Sequence, residues 1–450
     1  MRNYCSDIIV IGAGLAGVCA AISAKRQGRS VLLIEKFPFA GGMATGAEVH
    51  SMLTFHGGFG HKIIGGLPEE IIGELKKEGG TCGHVPDTIG AAFSVTPTDP
   101  YIFRLMLHKK LKKEGVMCLF NSALIDVKTY KNKIIQISGI CPDGNFTACA
   151  NAYVDASGEG ILSLLAGCNY IDDAGGSFMP ATLIFSVREV NLDKTIKYVL
   201  DNPEEFHGRT KFLLLSSSVA PGFSGFFSLW KNAGLNIPRD RILFYKTLNK
   251  DEVSVNSTRV INFNPFDPAN VQDAYGEALD QAYKIFNFLK SCVPGFENCI
   301  VSRIASFLGI REGRRIKGCY VLTLEDVLNG KRFDDEVTFG GFPVDVHSPS
   351  GDGLQTAEIG GEGFYGIPYR CMIPENIKNL VFTGKCLSAE FSAHASARVQ
   401  ATAMALGEAA GVAAALSVEK KKEPAEIKPE LLRKLLLRQK VILNPEKLEL

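Results

Sequence analysis

Gly12-Ala13-Gly14-Leu15-Ala16-Gly17 carries three glycines in the spacing GxGxxG. Between a strand and a helix, that spacing suits the diphosphate of a dinucleotide. The first glycine permits the tight turn, the second lets backbone approach phosphate oxygens with no Cβ in the way, and the third allows close helix–strand packing. The helix amino terminus then offers free N–H groups and a positive dipole end to two negative charges. Glu35 lies 18 positions past Gly17, with Lys36 beside it, at the end of the next apolar run. A carboxylate there can accept hydrogen bonds from both adenosine ribose hydroxyls, and it would repel a 2′-phosphate. A glycine turn that binds nothing is the alternative, but strand, glycines, helix, second strand and terminal carboxylate all agree.

Gly41-Gly42-Met43-Ala44 follows at once, and two glycines let that loop lie along the diphosphate and the flavin side of a longer cofactor. Much later, Asn379 to Gly384 reads as a strand ending in glycine. The long helix after it begins near Ser396 to Gln400, so Val399 and Gln400 would stand at a second positive end. One helix end would hold phosphate, and the other would face the N1–C2=O edge of a flavin, where negative charge gathers on reduction. NAD needs no second site, so FAD is the expected cofactor. Core packing by the helix's small residues is compatible with both roles.

A flavin carries the hard chemistry, leaving the protein to position a substrate carbon near N5 and to handle one proton and any oxyanion. His347, in Asp345-Val346-His347, and His394 with Arg398, just ahead of the long helix, are candidates for acid–base work and anion holding. Arg311, Arg314 and Arg315 suit a carboxylate substrate, because guanidinium forms bidentate pairs. The competing reading makes them structural, with Arg315 paired to Glu312 at helical spacing, and it is preferred for Arg314 and Arg315. His50, His56 and His61 read as loop histidines, a covalent flavin link through His50 being the alternative. No carboxylate or cysteine is spaced to complete a metal site with them. Tyr369 and Cys371, around Ile367-Pro368-Tyr369-Arg370, read as packing.

The elements that must position these groups follow from apolar period. Ser6 to Ile11 reads as a buried parallel strand, Leu15 to Arg26 as a helix, and Ser30 to Ile34 as a second strand, which together make one βαβ unit. Helices are expected near Glu69 to Glu78 and over Tyr101 to Glu114, with a strand at Val116 to Phe120. Runs at Ile125 to Lys128 and Lys133 to Gly139, joined through Tyr130-Lys131-Asn132, suggest a hairpin that Asn151 to Asp155 then leaves. From about Gly175 to Arg370 short β-type runs and Pro/Gly turns dominate, with a helix near Asp273 to Leu289. Leu380 to Thr383 reads as a last strand and Val399 to Leu416 as an alanine-rich helix. A charged linker, Glu419 to Glu423, precedes an amphipathic helix near Pro429 to Arg438.

The 450 residues exceed what one core usually holds, so two domains are expected. With 46% apolar and 22% charged residues the chain is an ordinary globular one. Its net charge of +1, from 49 basic and 48 acidic residues, favours neither nucleic acid nor an anionic membrane. Twelve cysteines without a CxxC pair indicate neither zinc nor a stapled scaffold, and fit reduced thiols in a cytoplasmic protein. The apolar run Ile8 to Ala24 is broken by Gly12, Gly14 and Gly17 and closed by Lys25-Arg26, too early to span a membrane.

These residues together resemble the bacterial FAD-dependent oxidoreductases of the glutathione-reductase superfamily, the group called fumarate-reductase-like. Besides the amino-terminal motif, the resemblance rests on Gly41 to Thr45, Asp155-Ala156-Ser157-Gly158-Glu159-Gly160, Arg311 to Gly318, Phe342 to His347, Ile367 to Arg370, and Asn379 to Leu416. It implies an α/β fold: a discontinuous Rossmann-type FAD-binding domain (1–174 and 371–418), an inserted β-rich α+β substrate domain (175–370) closing over the flavin, and a tail (419–450). Ser157, Gly158 and Gly384 join the expected cofactor contacts. Gly351-Asp352-Gly353 lacks the strand and helix of a second nucleotide domain. The expected activity is hydride transfer between flavin N5 and a small organic molecule. An O2-using oxidase or monooxygenase and a flavin-binding sensor stay open, as do the substrate, the electron donor or acceptor, and self-association into a homo-oligomer.

Overall fold

The computed structural model describes residues 2–207 and 221–447. Its larger sheet is centred on Arg2–Ile11, whose inner run Ile8 to Ile11 is buried on both faces. A continuous β-branched run suits a parallel strand covered from both sides. Across the sheet the order is Met117–Leu119, Val31–Ile34, Arg2–Ile11, Gly144–Asp155, then the antiparallel pair Lys133–Cys141 and Ala123–Tyr130. Leu380–Phe382 joins in parallel beside the end of Gly144–Asp155. The hairpin turns at Lys131 and Asn132, both with positive φ, as a tight right-twisting hairpin requires. One expectation changes here. The returning strand does not begin at Asn151 but runs unbroken over Gly144–Asp155, its first part pairing with Lys133–Cys141 and its stretch from Phe146 to Asp155 with Arg2–Ile11.

Helix Leu15–Arg26 packs along helix Gln400–Lys420 through residues too small to hold them apart. A Cβ on Gly407 would stand 2.1 Å from the Ala16 carbonyl oxygen, and one on Gly411 2.2 Å from that of Ala20. The second helix is long and apolar enough to cross a membrane, yet 89% of that apolar stretch is buried inside the protein. It runs to Lys420, so the expected linker starts two residues later than Glu419. Helix Pro429–Arg438 buries Leu432 and Leu436 completely in the same core; the tail's last three residues lie outside the described ones.

Glu408 is the one acidic side chain within that helix's buried stretch, and it accepts a 2.9 Å hydrogen bond from the Leu67 N–H at the start of helix Gly66–Lys77. Burial pushes its carboxyl up to about 8. An unfolded glutamate loses its proton near ~4.3. Between those values the folded chain keeps a proton that the unfolded chain has released, so stability falls as pH rises. Glu408→Gln keeps the acceptor for Leu67 and is expected to remove that decline. The gain over the native chain should rise through this window toward about 5 kcal/mol at most by roughly pH 8.5 and vanish near pH 4. Thermal melts of both proteins across that range check it, and parallel pH profiles would contradict it.

A second, antiparallel sheet runs Gly222–Gly225, Ile242–Lys246, Val253–Val255, Phe185–Arg188, Ile300–Ile304. Helix Pro268–Cys292 covers it, and Phe185, Phe223, Phe244, Phe288 and Phe296 fill the space between them. Within the stretch 175–370, expected from sequence as the inserted domain, Val337, Phe339, Phe364 and Tyr365 are buried in the first core. Their large apolar side chains meet the long alanine-rich helix, whose small residues leave room for them.

Candidate functional site

The strands Arg2–Ile11, Val31–Ile34, Gly144–Asp155 and Leu380–Phe382 end level with one another: Ile11 lies opposite Ile34 and Asp155, and Asp155 opposite Phe382. In an open parallel sheet the ligand crevice lies beyond these carboxyl ends. Here it is a cavity of about 770 Å³, in the upper range for small-molecule sites. Gly12, Gly14, Ala16, Glu35, Lys36, Gly41, Gly42, Met43, Ala44, Ser157, Gly158, Gly384, Val399 and Gln400 all line it. Ala13 and Gly17, expected beside them, stand one layer behind.

The three glycines of the turn divide their work. Gly12 has φ +96°, and its Cβ would meet the Ala156 carbonyl oxygen at 2.5 Å; a Cβ on Gly17 would meet the Gly12 carbonyl oxygen at 1.8 Å. Both are needed for the turn to close. Gly14 has ordinary extended backbone (φ −61°, ψ 174°), and a Cβ there would meet nothing within 4 Å. Its missing side chain leaves room in the cavity. A Cβ on Gly42 would lie 3.0 Å from the Gly14 Cα, and the Gly41 N–H donates to the Ala13 carbonyl at 2.8 Å, which clamps the second glycine loop onto the first. Neither Leu15–Arg26 nor Gln400–Lys420 has a side-chain cap at its amino terminus, so first-turn N–H groups are left to face the cavity, although in the second helix the Ala401 N–H reaches the Leu53 carbonyl at 3.4 Å.

Glu35 does more structural work than expected. Its carboxylate accepts from the Ala13 N–H at 2.6 Å and the Phe37 N–H at 2.9 Å, locking the turn; burial raises its pKa and those two bonds lower it. Each oxygen keeps a further lone pair for a ligand hydroxyl. Asp155 holds the next loop, accepting from the N–H and hydroxyl of both Ser157 and Ser163. The Gln400 side-chain amide donates to the Val49 carbonyl at 3.0 Å, and its Oε1 is buried without a partner.

The candidates for chemistry fare unevenly. Arg311, Arg398 and His347 reach the cavity; His394 does not. It is fully buried in the short helix Phe391–Ala397, its Nε2 2.7 Å from the Lys385 carbonyl, and burial holds its ring neutral with a pKa of about 3. The chain bends between Ala397 and Gln400, and that break turns His394 into the wall behind the cavity. His347 is present but engaged at both nitrogens: Nδ1 lies 3.0 Å from Arg259 Nη1 and Nε2 3.2 Å from Asp345 Oδ2. A guanidinium only donates, so Nδ1 accepts and Nε2 carries the proton toward Asp345. His347 therefore positions its neighbours, and no nitrogen is left to exchange a proton with substrate.

Arg314 stacks on Phe266 at 3.7 Å, and Arg315 pairs with Asp173 at 2.5 Å and donates to the Ala389 carbonyl. The expected Arg315–Glu312 pair is absent among the described residues because Arg315–Ile316 is a short strand, not a helix, and Glu312 instead accepts from the Met179 N–H. Of the loop histidines, His50 lines the cavity; His56 bonds Ser94 and His61 packs on Phe364. His50 is buried with no partner for Nδ1, and its pKa falls to about 4 through burial and then the Arg303 charge.

Sequence reading missed Lys385, Tyr245, Arg239, Arg241 and Arg259, which also line the cavity. Two signals were available: the charged triplet Arg239-Asp240-Arg241 after Pro238, and Arg259 alone inside the β-type run Ser257 to Ile261, where a buried arginine demands partners.

The family model for FAD dependent oxidoreductase matches residues 7–436. No curated protein matches the chain. Among solved structures, a geranylgeranyl bacteriochlorophyll reductase-like protein from Thermoplasma acidophilum is 13% identical with a TM-score of 0.50, over 97% of this chain and 92% of that one. The flavin-dependent brominase Bmp2 is 14% identical with a TM-score of 0.48, over 96% and 83%. L-proline dehydrogenase from P. horikoshii is 12% identical with a TM-score of 0.45, over 94% and 95%.

Proposed function

The chain belongs to the FAD-dependent oxidoreductase family, and on that premise we propose that it transfers a hydride between flavin N5 and a carbon of a small organic substrate. FAD supplies the two-electron chemistry when bound. The residues fit it: Gly14 leaves a space in the cavity that a Cβ would fill, Gly42 lets the second glycine loop close against it, and two helix ends without side-chain caps face the same cavity. The amino-terminal donors would hold the diphosphate, Glu35 the ribose hydroxyls, and the end near Val399 and Gln400 the ring.

One observation carries this reading: the glycine cradle and the Arg311, Arg398 and His50 side chains share a single continuous cavity, so cofactor and substrate can meet without the protein opening. His50, neutral and with a nitrogen unpaired, takes the proton-handling role first assigned to His394 and His347. The second sheet, over Phe185 to Ile304, caps the cavity, in the manner of the glutathione-reductase superfamily. The near-balanced charge supports neither a nucleic-acid nor an anionic-membrane partner, and twelve cysteines without a CxxC pair support a cytoplasmic enzyme.

Anaerobic mixing of the purified yellow protein with candidate donors and acceptors tests the proposal. Bleaching of the flavin band by an organic donor, or its return from the reduced state on adding an organic acceptor, is the expected result. Substrate hydroxylation coupled to O2 consumption would replace hydride transfer with oxygenation.

A further inference from the structure

Arg239, Arg259, Arg311 and Arg398 line one part of the cavity, and their supply of counter-charge is short. Arg398 reaches Asp345 only at 3.6 Å. Arg241 spends Asp240 in a direct pair. The remaining cavity carboxylates beyond the cofactor cradle, Asp352 and Glu358, are exposed to solvent. Among the described residues no carboxylate comes within salt-bridge distance of Arg239, Arg259 or Arg311, and the segment 208–220 contains no acidic residue.

Their hydrogen bonds go to neutral acceptors. Arg259 is nearly saturated, by the carbonyls of Ser348, Gly351 and Gly353 and by His347 Nδ1. Arg311 gives only Nη1, to the Pro180 carbonyl and the Thr182 hydroxyl. Arg239 gives only Nε, to the Arg241 carbonyl. Among the described residues the terminal nitrogens of Arg239 and the Nη2 of Arg311 therefore have no acceptor, and both side chains line the cavity. A half-buried charge facing a cavity without an ionic partner is costly, and several positive charges depressing one another's affinity for protons make it worse: Arg311 is brought down to about 9 by burial and then by Arg398. Such an arrangement is stable with an anion among the guanidinium groups.

We propose that Arg239 and Arg311 form the recognition site for a carboxylate group of the substrate, which restricts the hydride-transfer reaction to organic acids. This rests on the function proposed above for the same cavity. The planar guanidinium fork matches a carboxylate in two parallel hydrogen bonds. Arg259 and His347 act behind it as positioning residues, tying the loop Ser348 to Gly353 to Asp345.

Calorimetric titration of the FAD-loaded protein with acetate and benzoate tests the proposal, with benzamide and phenylphosphonate as the neutral and phosphonate counterparts. Carboxylates should bind at least ~10-fold more tightly than the amide, and should shift the flavin absorption band. Arg239→Gln and Arg311→Gln should each weaken carboxylate binding about 10-fold with flavin content unchanged, whereas Arg314→Gln, on Phe266, should leave it intact. Equal binding of amide and carboxylate, preference for the phosphonate, or full binding in the Arg239→Gln, Arg311→Gln double variant would each overturn it. Because heat of binding does not depend on turnover, a protein that binds carboxylate but never exchanges electrons would sink the redox function alone. One reduced by a neutral substrate, with carboxylates silent, would sink the acid specificity alone.

Discussion

Gly14→Val is expected to cost the protein its FAD while leaving the apo fold intact. The backbone at Gly14 is extended, so valine adopts it without strain, and the added Cβ meets no protein atom. What the isopropyl group occupies is the space beside the uncapped helix end, where the diphosphate must approach. Losing two charge-assisted hydrogen bonds at ~1.5–3 kcal/mol each lowers affinity by at least about 100-fold. The flavin-to-protein absorbance ratio after gel filtration measures it, with the apo melting temperature as control. Gly12→Val and Gly17→Val should behave differently, because there a Cβ strikes backbone at 2.5 Å and 1.8 Å, and the turn itself must break. A Gly14→Val protein as yellow as the native one would remove the diphosphate from this turn.

Gly411→Val is expected to destabilise the fold by about 3 kcal/mol, the upper end of ordinary overpacking. Its Cβ would stand 2.2 Å from the Ala20 carbonyl oxygen, which is backbone and cannot rotate aside. The two helices must separate, and they are the spine between the parallel sheet and the carboxyl-terminal core. Ala20 lies six residues past Gly14, more than a helical turn, so molecules that remain folded at low temperature should keep their FAD. A melting temperature matching the native protein would show that the helices are not packed this closely.

The glycine cradle was largely legible in the chain because its interactions are local. A strand, three glycines, a helix and a carboxylate 18 residues on are fixed by short-range sterics, and the structure sets nearly all the named positions on the cavity wall. Even there, spacing could not separate Gly14, which faces the cavity, from Gly17, which faces backbone. The cavity wall beyond the glycine cradle was poorly legible. His394 precedes the long helix in sequence, as a flavin-facing residue would, yet two helices with a bend between them turn it into the core.

Sequence by itself determined the dinucleotide turn, the βαβ unit and the apolar run buried inside the protein, since residue type and period act over a few neighbours. Tertiary structure alone decided which charges go unpaired. Arg239 and Arg311 lie far apart along the chain, and a guanidinium's need for a partner depends on what the fold leaves within reach of it.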